Sequence, residues 1–199
     1  MTKEEILAIA SGDSFYLDIS SYKDRQFKEI DTRLDLLNKN EFYEFNFIFD
    51  GEPSPAPRPR SHFMKKKDGS LVTDSSGRPV QRWYDPGSVK KAVIKKYVKS
   101  ILPEDFEIAN GEVYLSFRIF KPPLSSFSMA EAFLAEARFI RPDVRPDIDN
   151  YEKTVLDALN GVIWSDDGRV VALSSEKYYS CRPRIEVDIC YTLNRLCNK

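Results

Sequence analysis

The segment RPDIDNYEKTVLDALNGVIWSDDG, residues 145–168, constrains the fold more than any other stretch of the chain. Tyr151, Val155, Ala158, Leu159 and Val162 recur at helical spacing, so one stripe of this helix has to be buried against an apolar surface. Arg145-Pro146 predicts an extended approach to it, because the residue before a proline is pushed out of the helical region. Gly161 predicts its end, with Trp164 as an anchor beyond. In an extended approach Asp147 and Asp149 point to the same side, and the turn at Asp166-Asp167-Gly168 can bring a third carboxylate back toward them.

Each of these acidic residues also has a plain structural reading. Asp149 with Glu152 three residues on makes a fair capping box, Asp166-Asp167-Gly168 a fair hairpin turn, and Asp157 an ordinary exposed helix residue. For Asp157 the plain reading is kept. Asp147 is different, because a second carboxylate beside Asp149 raises a like-charge repulsion that something positive must relieve. A divalent cation held by hard oxygens is the natural relief, and Mg²⁺ takes a few carboxylates while keeping waters for substrate phosphates.

Around this segment the patterning is mixed. EFYEFNFIFDG alternates, with Phe45, Phe47 and Phe49 on one side, and predicts a strand ending at Gly51. PSPAPRPRS follows, and its prolines at 53, 55, 57 and 59 rule out regular structure and hold Arg58 and Arg60 on a stiff, extended loop. KKDGSLVTDSSGRPVQRWYDP predicts a hairpin or long loop with turns at Asp68-Gly69 and Ser76-Gly77. DPGSVKKAVIKKYVKSIL predicts a helix with Val89, Val93, Tyr97 and Ile101 inward and a lysine-rich outer face carrying Lys90, Lys91, Lys95 and Lys96. EVYLSFRIFKPP predicts a second strand and SMAEAFLAEARF a short helix, while RVVALSSEKYYS and PRIEVDICYTL predict two closing strands. The expected class is α+β, a mixed α/β arrangement in which a single mixed sheet is flanked by helices. Residues 1–40, helical in their second half, are expected to be an appended element, and residues 41–199 the main domain.

Composition narrows the chemistry. At 199 residues and 42% apolar content the chain suffices for one ordinary core. It contains no run of eighteen apolar residues and its N-terminus lacks an apolar signal region, so a soluble cytoplasmic protein with no membrane span is expected. Cys181, Cys190 and Cys197 are odd in number and form no C-x-x-C pair, which predicts reduced thiols rather than a disulfide framework or a zinc ribbon. The single histidine, His62, lies in no zincin, histidine-metal nuclease or Ser-His-Asp motif and is expected in a surface loop. Any catalysis must therefore come from carboxylates, lysine and a hard metal ion.

The formal net charge of -1 conceals a strong asymmetry. Residues 58–99 carry twelve Lys and Arg against three Asp and Glu, whereas residues 1–52 carry six against twelve. A basic block interleaved with His62, Phe63, Trp83 and Tyr84 suits a phosphate-tracking surface. A solvated loop and helix face would carry the same charges, and both readings stay open.

The run Arg145-Pro146-Asp147-Ile148-Asp149-Asn150, Lys153, Leu156-Asp157-Ala158-Leu159-Asn160-Gly161, Trp164, Asp166-Asp167 and a following strand resembles the RusA family of Holliday junction resolvases. The early strand, the P-x-P-x-P-R-P-R segment and the basic helix agree with it, so that the resemblance covers roughly residues 42–190. It implies a small homodimeric, Mg²⁺-dependent endodeoxyribonuclease that makes paired nicks in four-way DNA junctions, in recombination and repair. Carried over by motif, Asp147, Asp149 and Asp167 would be the metal-binding carboxylates and Lys153 the essential lysine, with Asp166 ranked below Asp167. Arg58, Arg60, Lys90, Lys91, Lys95 and Lys96 are the expected DNA contacts. One departure is Arg169, where the family usually has glutamine.

Lys153 also reads as an ordinary partner, one helical turn away, for Asp149 or Asp157. Two other functions compete. A branched-DNA-binding protein without catalysis would use the acidic cluster only as a fold element. A nucleotide phosphotransferase would need a phosphate-binding loop, and the chain has no Gly-x-x-x-x-Gly-Lys.

Overall fold

A computed structural model describes residues 1–12 and 16–193; Cys197 lies outside the described residues. The elements in chain order are α1 (Lys3–Ala10), α2 (Asp24–Leu37), β1 (Phe42–Asp50), β2 (Arg60–Phe63), β3 (Gln81–Tyr84), α3 (Ser88–Ile101), β4 (Val113–Lys121), α4 (Met129–Glu136), α5 (Ile148–Leu159), β5 (Val170–Tyr179) and β6 (Arg184–Thr192). Strands β1, β6, β4 and β5 form one sheet in that spatial order, and β2 pairs with β3 in a separate two-stranded ribbon. Within the larger sheet β6 runs antiparallel to both β1 and β4, while β5 runs parallel to β4. The class is α+β with a mixed sheet, as expected.

The alternation of β4 and β6 explains which face is buried. Val113, Leu115, Phe117 and Ile119 of β4 and Ile185, Val187 and Ile189 of β6 are at most 4% exposed. Val155, Ala158 and Leu159 of α5 close over them, with Val162, Ile163 and Trp164 just beyond the helix. Parallel neighbours need a crossover connection, and α5 lies on the one between β4 and β5. Its position over the sheet is therefore a consequence of the topology, and the five-residue stripe read from sequence is buried throughout.

Helix α3 turns differently from its expected face. Val89 and Val93 are 71% and 53% exposed, and the buried side chains are Ile94 and Val98. Residues spaced by four drift about 40° per step around a helix of 3.6 residues per turn, so a long row at that spacing cannot remain on one face. Packing against α5 selects the row one residue on. That rotation carries Lys91 and Lys95 inward to half-buried positions and leaves Lys90 and Lys96 exposed.

The N-terminal helices bury Ile6, Ile19 and Phe27 in a small cluster of their own. Sequence reading anticipated α2 but not α1, whose start is marked by a capping box between Thr2 and Glu5. His62 sits on β2, in a strand rather than a loop. Among the described residues no helix is long and apolar enough to cross a membrane.

Candidate active site

The helix carrying the acidic motif starts earlier than its sequence suggests. Asp147 occupies the N-cap position with extended backbone, φ -68° and ψ 153°, and Asp149 already lies in the first helical turn. The two aspartates therefore do not alternate along an extended segment; they flank the helix start. Asp147 makes no side-chain capping bond, and the box expected between Asp149 and Glu152 does not form. Glu152 is hydrogen-bonded instead to the Ser175 hydroxyl on β5. Among the described residues Asp149 accepts only from its neighbour Asn150, at 3.2 Å. Two exposed carboxylates thus stand at one end of α5 with little local work to do.

The third aspartate is positioned by the core. Asp167 opens a short 3-10 turn, Asp167–Arg169, and its Oδ1 accepts from Trp164 Nε1 at 3.0 Å. Trp164 is fully buried, so this exposed carboxylate is tied to a side chain of the hydrophobic core. Asp166 differs: its Oδ1 accepts from the Gly168 amide at 2.8 Å and caps the turn. A Cβ at Gly168 would come within 2.9 Å of that same oxygen, so a larger residue there would make the Asp166 cap shift. Lys153, one turn after Asp149, is exposed and has no hydrogen-bond or ion-pair partner among the described residues.

The approach to the motif is held by two lysines that sequence reading passed over. Lys177 Nζ donates to the carbonyls of Val144 and Pro146, both at 3.2 Å, and Lys121 Nζ donates to that of Arg145 at 3.3 Å. Burial, followed by the neighbouring Lys177 charge, holds the Lys121 ammonium below the usual lysine range. Their only signal in the sequence is a lysine within each of two strands. Below the motif Tyr151 is 1% exposed, and burial together with Glu52 pushes its phenol up to about 12, which leaves it a packing group at neutral pH.

The basic segment meets this site through its backbone. The Ala56 amide donates to the Asn150 carbonyl at 2.7 Å, which fastens the proline strap to the turn holding Asp149. Pro53 is buried at one end of the strap, and Arg58 and Arg60 emerge exposed at the other. A Cβ at Gly87 would meet the Pro57 ring at 2.8 Å, so the start of α3 also depends on close approach to the strap.

The lysines of α3 divide by role. Lys91 Nζ lies 2.7 Å from Asp85 and 2.5 Å from Asp157, and Lys95 Nζ donates to the Asn160 carbonyl at 3.2 Å. Burial pulls the Lys91 ammonium down, but its bonds to Asp157 and Asp85 outweigh this and hold it above the usual range. Lys91 is thus an internal bridge, which corrects its expected place on the outer face, and Asp157 is its partner rather than a free surface residue. Asp85 is held below the usual carboxylate range by Lys91 and then by the Gly87 amide. Its contribution is therefore present at neutral pH and lost as pH falls below about 4, through its depressed folded value.

Two sets of substitutions separate these roles. Lys91→Met should destabilise by about 1–2 kcal/mol, discounted because both carboxylates are about one-third exposed, and lower Tm by a few degrees. Lys90→Ala with Lys96→Ala should leave Tm unchanged and flatten the salt dependence of DNA binding by roughly one log-log unit per lost phosphate contact. Thermal melts and a salt titration of binding check both. An unchanged salt slope after the double substitution would return Lys90 and Lys96 to a purely solvating role.

The donor chemistry of Asp147, Asp149 and Asp167 suits a hard divalent cation. The described residues do not, however, assemble three His, Cys, Asp or Glu side chains into a group able to hold a metal by itself. A cation bound by one or two carboxylates plus water and substrate phosphate is compatible with that arrangement. The residues thus fit an open site and not a closed protein cage.

Comparison with known proteins agrees with the motif. The family model described as Endodeoxyribonuclease RusA matches residues 50–190, from the end of β1 through most of β6. The chain is also 36% identical over 149 residues to Uncharacterized protein YqaN of Bacillus subtilis (strain 168), covering 72% of this chain and 93% of that protein. The aspartates, Lys153, the strap and the whole basic block fall inside the region matched by the family model, and the chain belongs to the RusA family of endodeoxyribonucleases.

Proposed function

We propose that this chain is a cytoplasmic, homodimeric, Mg²⁺-dependent endodeoxyribonuclease that resolves four-way (Holliday) junctions by paired symmetric nicks, in DNA recombination and repair. The observation that carries the reading is the bond from Ala56 to Asn150, which joins a strap bearing two exposed arginines to the turn bearing Asp149. A surface suited to phosphates and a carboxylate site are thereby adjacent. Family membership supports nuclease chemistry at that point.

In this reading the candidate ligands are Asp147, Asp149 and Asp167, one or two of which, completed by water and substrate phosphate, would hold the cation; when bound it would lower the pKa of a water and neutralise charge on the phosphate. Trp164 fixes the direction of Asp167 through its indole N–H. Lys153 donates to a non-bridging phosphate oxygen or orients the attacking water, its unengaged ammonium being one helical turn from Asp149. Lys121 and Lys177 hold the carbonyls leading into Asp147, so that the carboxylate does not swing away with its loop. A junction has near two-fold symmetry and falls apart only after two opposed nicks, which suits a two-fold dimer with one site per subunit.

The open donor set is what favours the competing reading, a branched-DNA-binding protein without catalysis. Synthetic four-way junctions and linear duplex of the same sequence separate the two. The expected result is Mg²⁺-dependent paired nicks in the junction, little cutting of the duplex, and single nicks from heterodimers containing one Asp147→Asn subunit. Retention of the junction without products under every metal condition would establish the silent binder. Equal cutting of both substrates by a monomer would refute the resolvase.

A further inference from the structure

The ribbon of β2 and β3 separates its chemistry by face. Its register pairs Arg60 with Tyr84, Ser61 with Trp83, His62 with Arg82 and Phe63 with Gln81. Directly opposed residues of an antiparallel pair share a face, so Arg60, His62, Arg82 and Tyr84 lie on one side and Ser61, Phe63, Gln81 and Trp83 on the other. The first side is cationic, with the rings of His62 and Tyr84 5.8 Å apart. The second is aromatic: Trp83 is 66% exposed and Phe63 50%, while Gln81 is hydrogen-bonded to Ser61 at 2.5 Å between them.

Nothing in the fold accounts for that exposure. Every residue of β3 is exposed, and only Ser61 of β2 is not. Beyond the ribbon the chain makes two further turns closed by Gly69 and Gly77, tied by bonds from Met64 to Val80, Val72 to Met64 and Val80 to Val72. Exposed Lys65, Lys66, Lys67 and Arg78 surround them. A two-stranded ribbon is marginal in water by itself, so large rings left open on it cost stability without contributing packing.

We propose that the Phe63–Trp83 face of this ribbon is a stacking platform for unpaired or unstacked bases at a DNA branch point, with Arg60 and Arg82 on the opposite face engaging the phosphates beside it. The proposal rests on the reading of the chain as a DNA-junction enzyme and adds the device that distinguishes a junction from duplex. Aromatic faces bind bases of any sequence when those bases are out of the stack, and flanking cations track the backbone. In an intact duplex the bases are stacked and paired, so the same rings find nothing to cover.

The protein carries its own reporter. Of two tryptophans, Trp83 is exposed and Trp164 is fully buried but bonded to Asp167, so the titration is repeated with Trp83→Phe, and only quenching lost in that variant belongs to Trp83. The experiment titrates the full chain in EDTA with a synthetic four-way junction, a single-stranded oligonucleotide and a linear duplex. Quenching by the junction and the single strand but not by the duplex is expected. Trp83→Ala should weaken junction binding about five- to a hundredfold, the range that base–aromatic stacking spans, with duplex affinity, salt slope and Tm unchanged. Trp83→Phe should restore much of the loss.

Equal quenching by the duplex would overturn the proposal and place the ribbon in the groove of paired DNA. So would a Trp83→Ala protein that keeps its preference for the junction. If the wild type neither prefers nor cuts junctions, yet the single strand quenches Trp83 and the duplex does not, the resolvase reading fails and the stacking platform stands.

Discussion

Asp147→Asn, and separately Asp149→Asn, should reduce Mg²⁺-dependent cleavage of a four-way junction by at least about 10³-fold, while junction binding stays equal or becomes tighter. The expected loss corresponds to about 4 kcal/mol of transition-state stabilisation, a reasonable share for a carboxylate that holds a catalytic cation. The change is isosteric. Neither residue is buried and neither caps α5 through its side chain, so Tm should barely move. Removing a negative charge from the exposed end of α5 also lessens the repulsion of phosphates, hence the expectation for binding. Single-turnover cleavage and gel-shift titration on the same junction measure both quantities. Cleavage near the wild-type rate by either variant would remove that aspartate from the site.

Trp164 should show the largest effect on the fold. It is fully buried in the core formed by β4, β6 and α5, and truncation to alanine should cost about 3–5 kcal/mol. Against a typical total of about 5–15 kcal/mol, this lowers Tm by about 10 °C or leaves the chain largely unfolded. Trp164→Phe tests the link to chemistry. It retains an aromatic ring in the core but deletes the indole N–H that holds Asp167, so cleavage should fall about ten- to a hundredfold with a much smaller change in Tm. Full activity in Trp164→Phe would mean that the orientation of Asp167 does not depend on this bond.

The contrast between α5 and α3 shows what a sequence can reveal. The stripe of α5 is legible because Tyr151, Val155, Ala158 and Leu159 are all buried, the last three in the core with the sheet, and a stripe of that kind tolerates little else. The strands β1, β4 and β6 are legible for the same reason, through strict alternation. Helix α3 lies at the rim, between α5 and solvent, where valines can be exposed and lysines can turn inward to a carboxylate or a carbonyl. Of its expected inward residues Tyr97 therefore packs against the core, while Val89, Val93 and Ile101 are exposed and Ile94 and Val98 are buried in their stead.

The acidic motif itself, its turn and the family it marks were determined by the sequence alone, because hard-oxygen donors and helix signals are local and their spacing is preserved in the fold. What only the tertiary structure decided is their company. The Ala56–Asn150 bond, the Lys121 and Lys177 grip on residues 144–146, the Trp164–Asp167 bond and the Lys91 bridge are in most cases between residues far apart in the chain. Such pairings follow from which strands become neighbours in the sheet. That choice is made by burial of the whole core and leaves little trace in the individual residues it brings together.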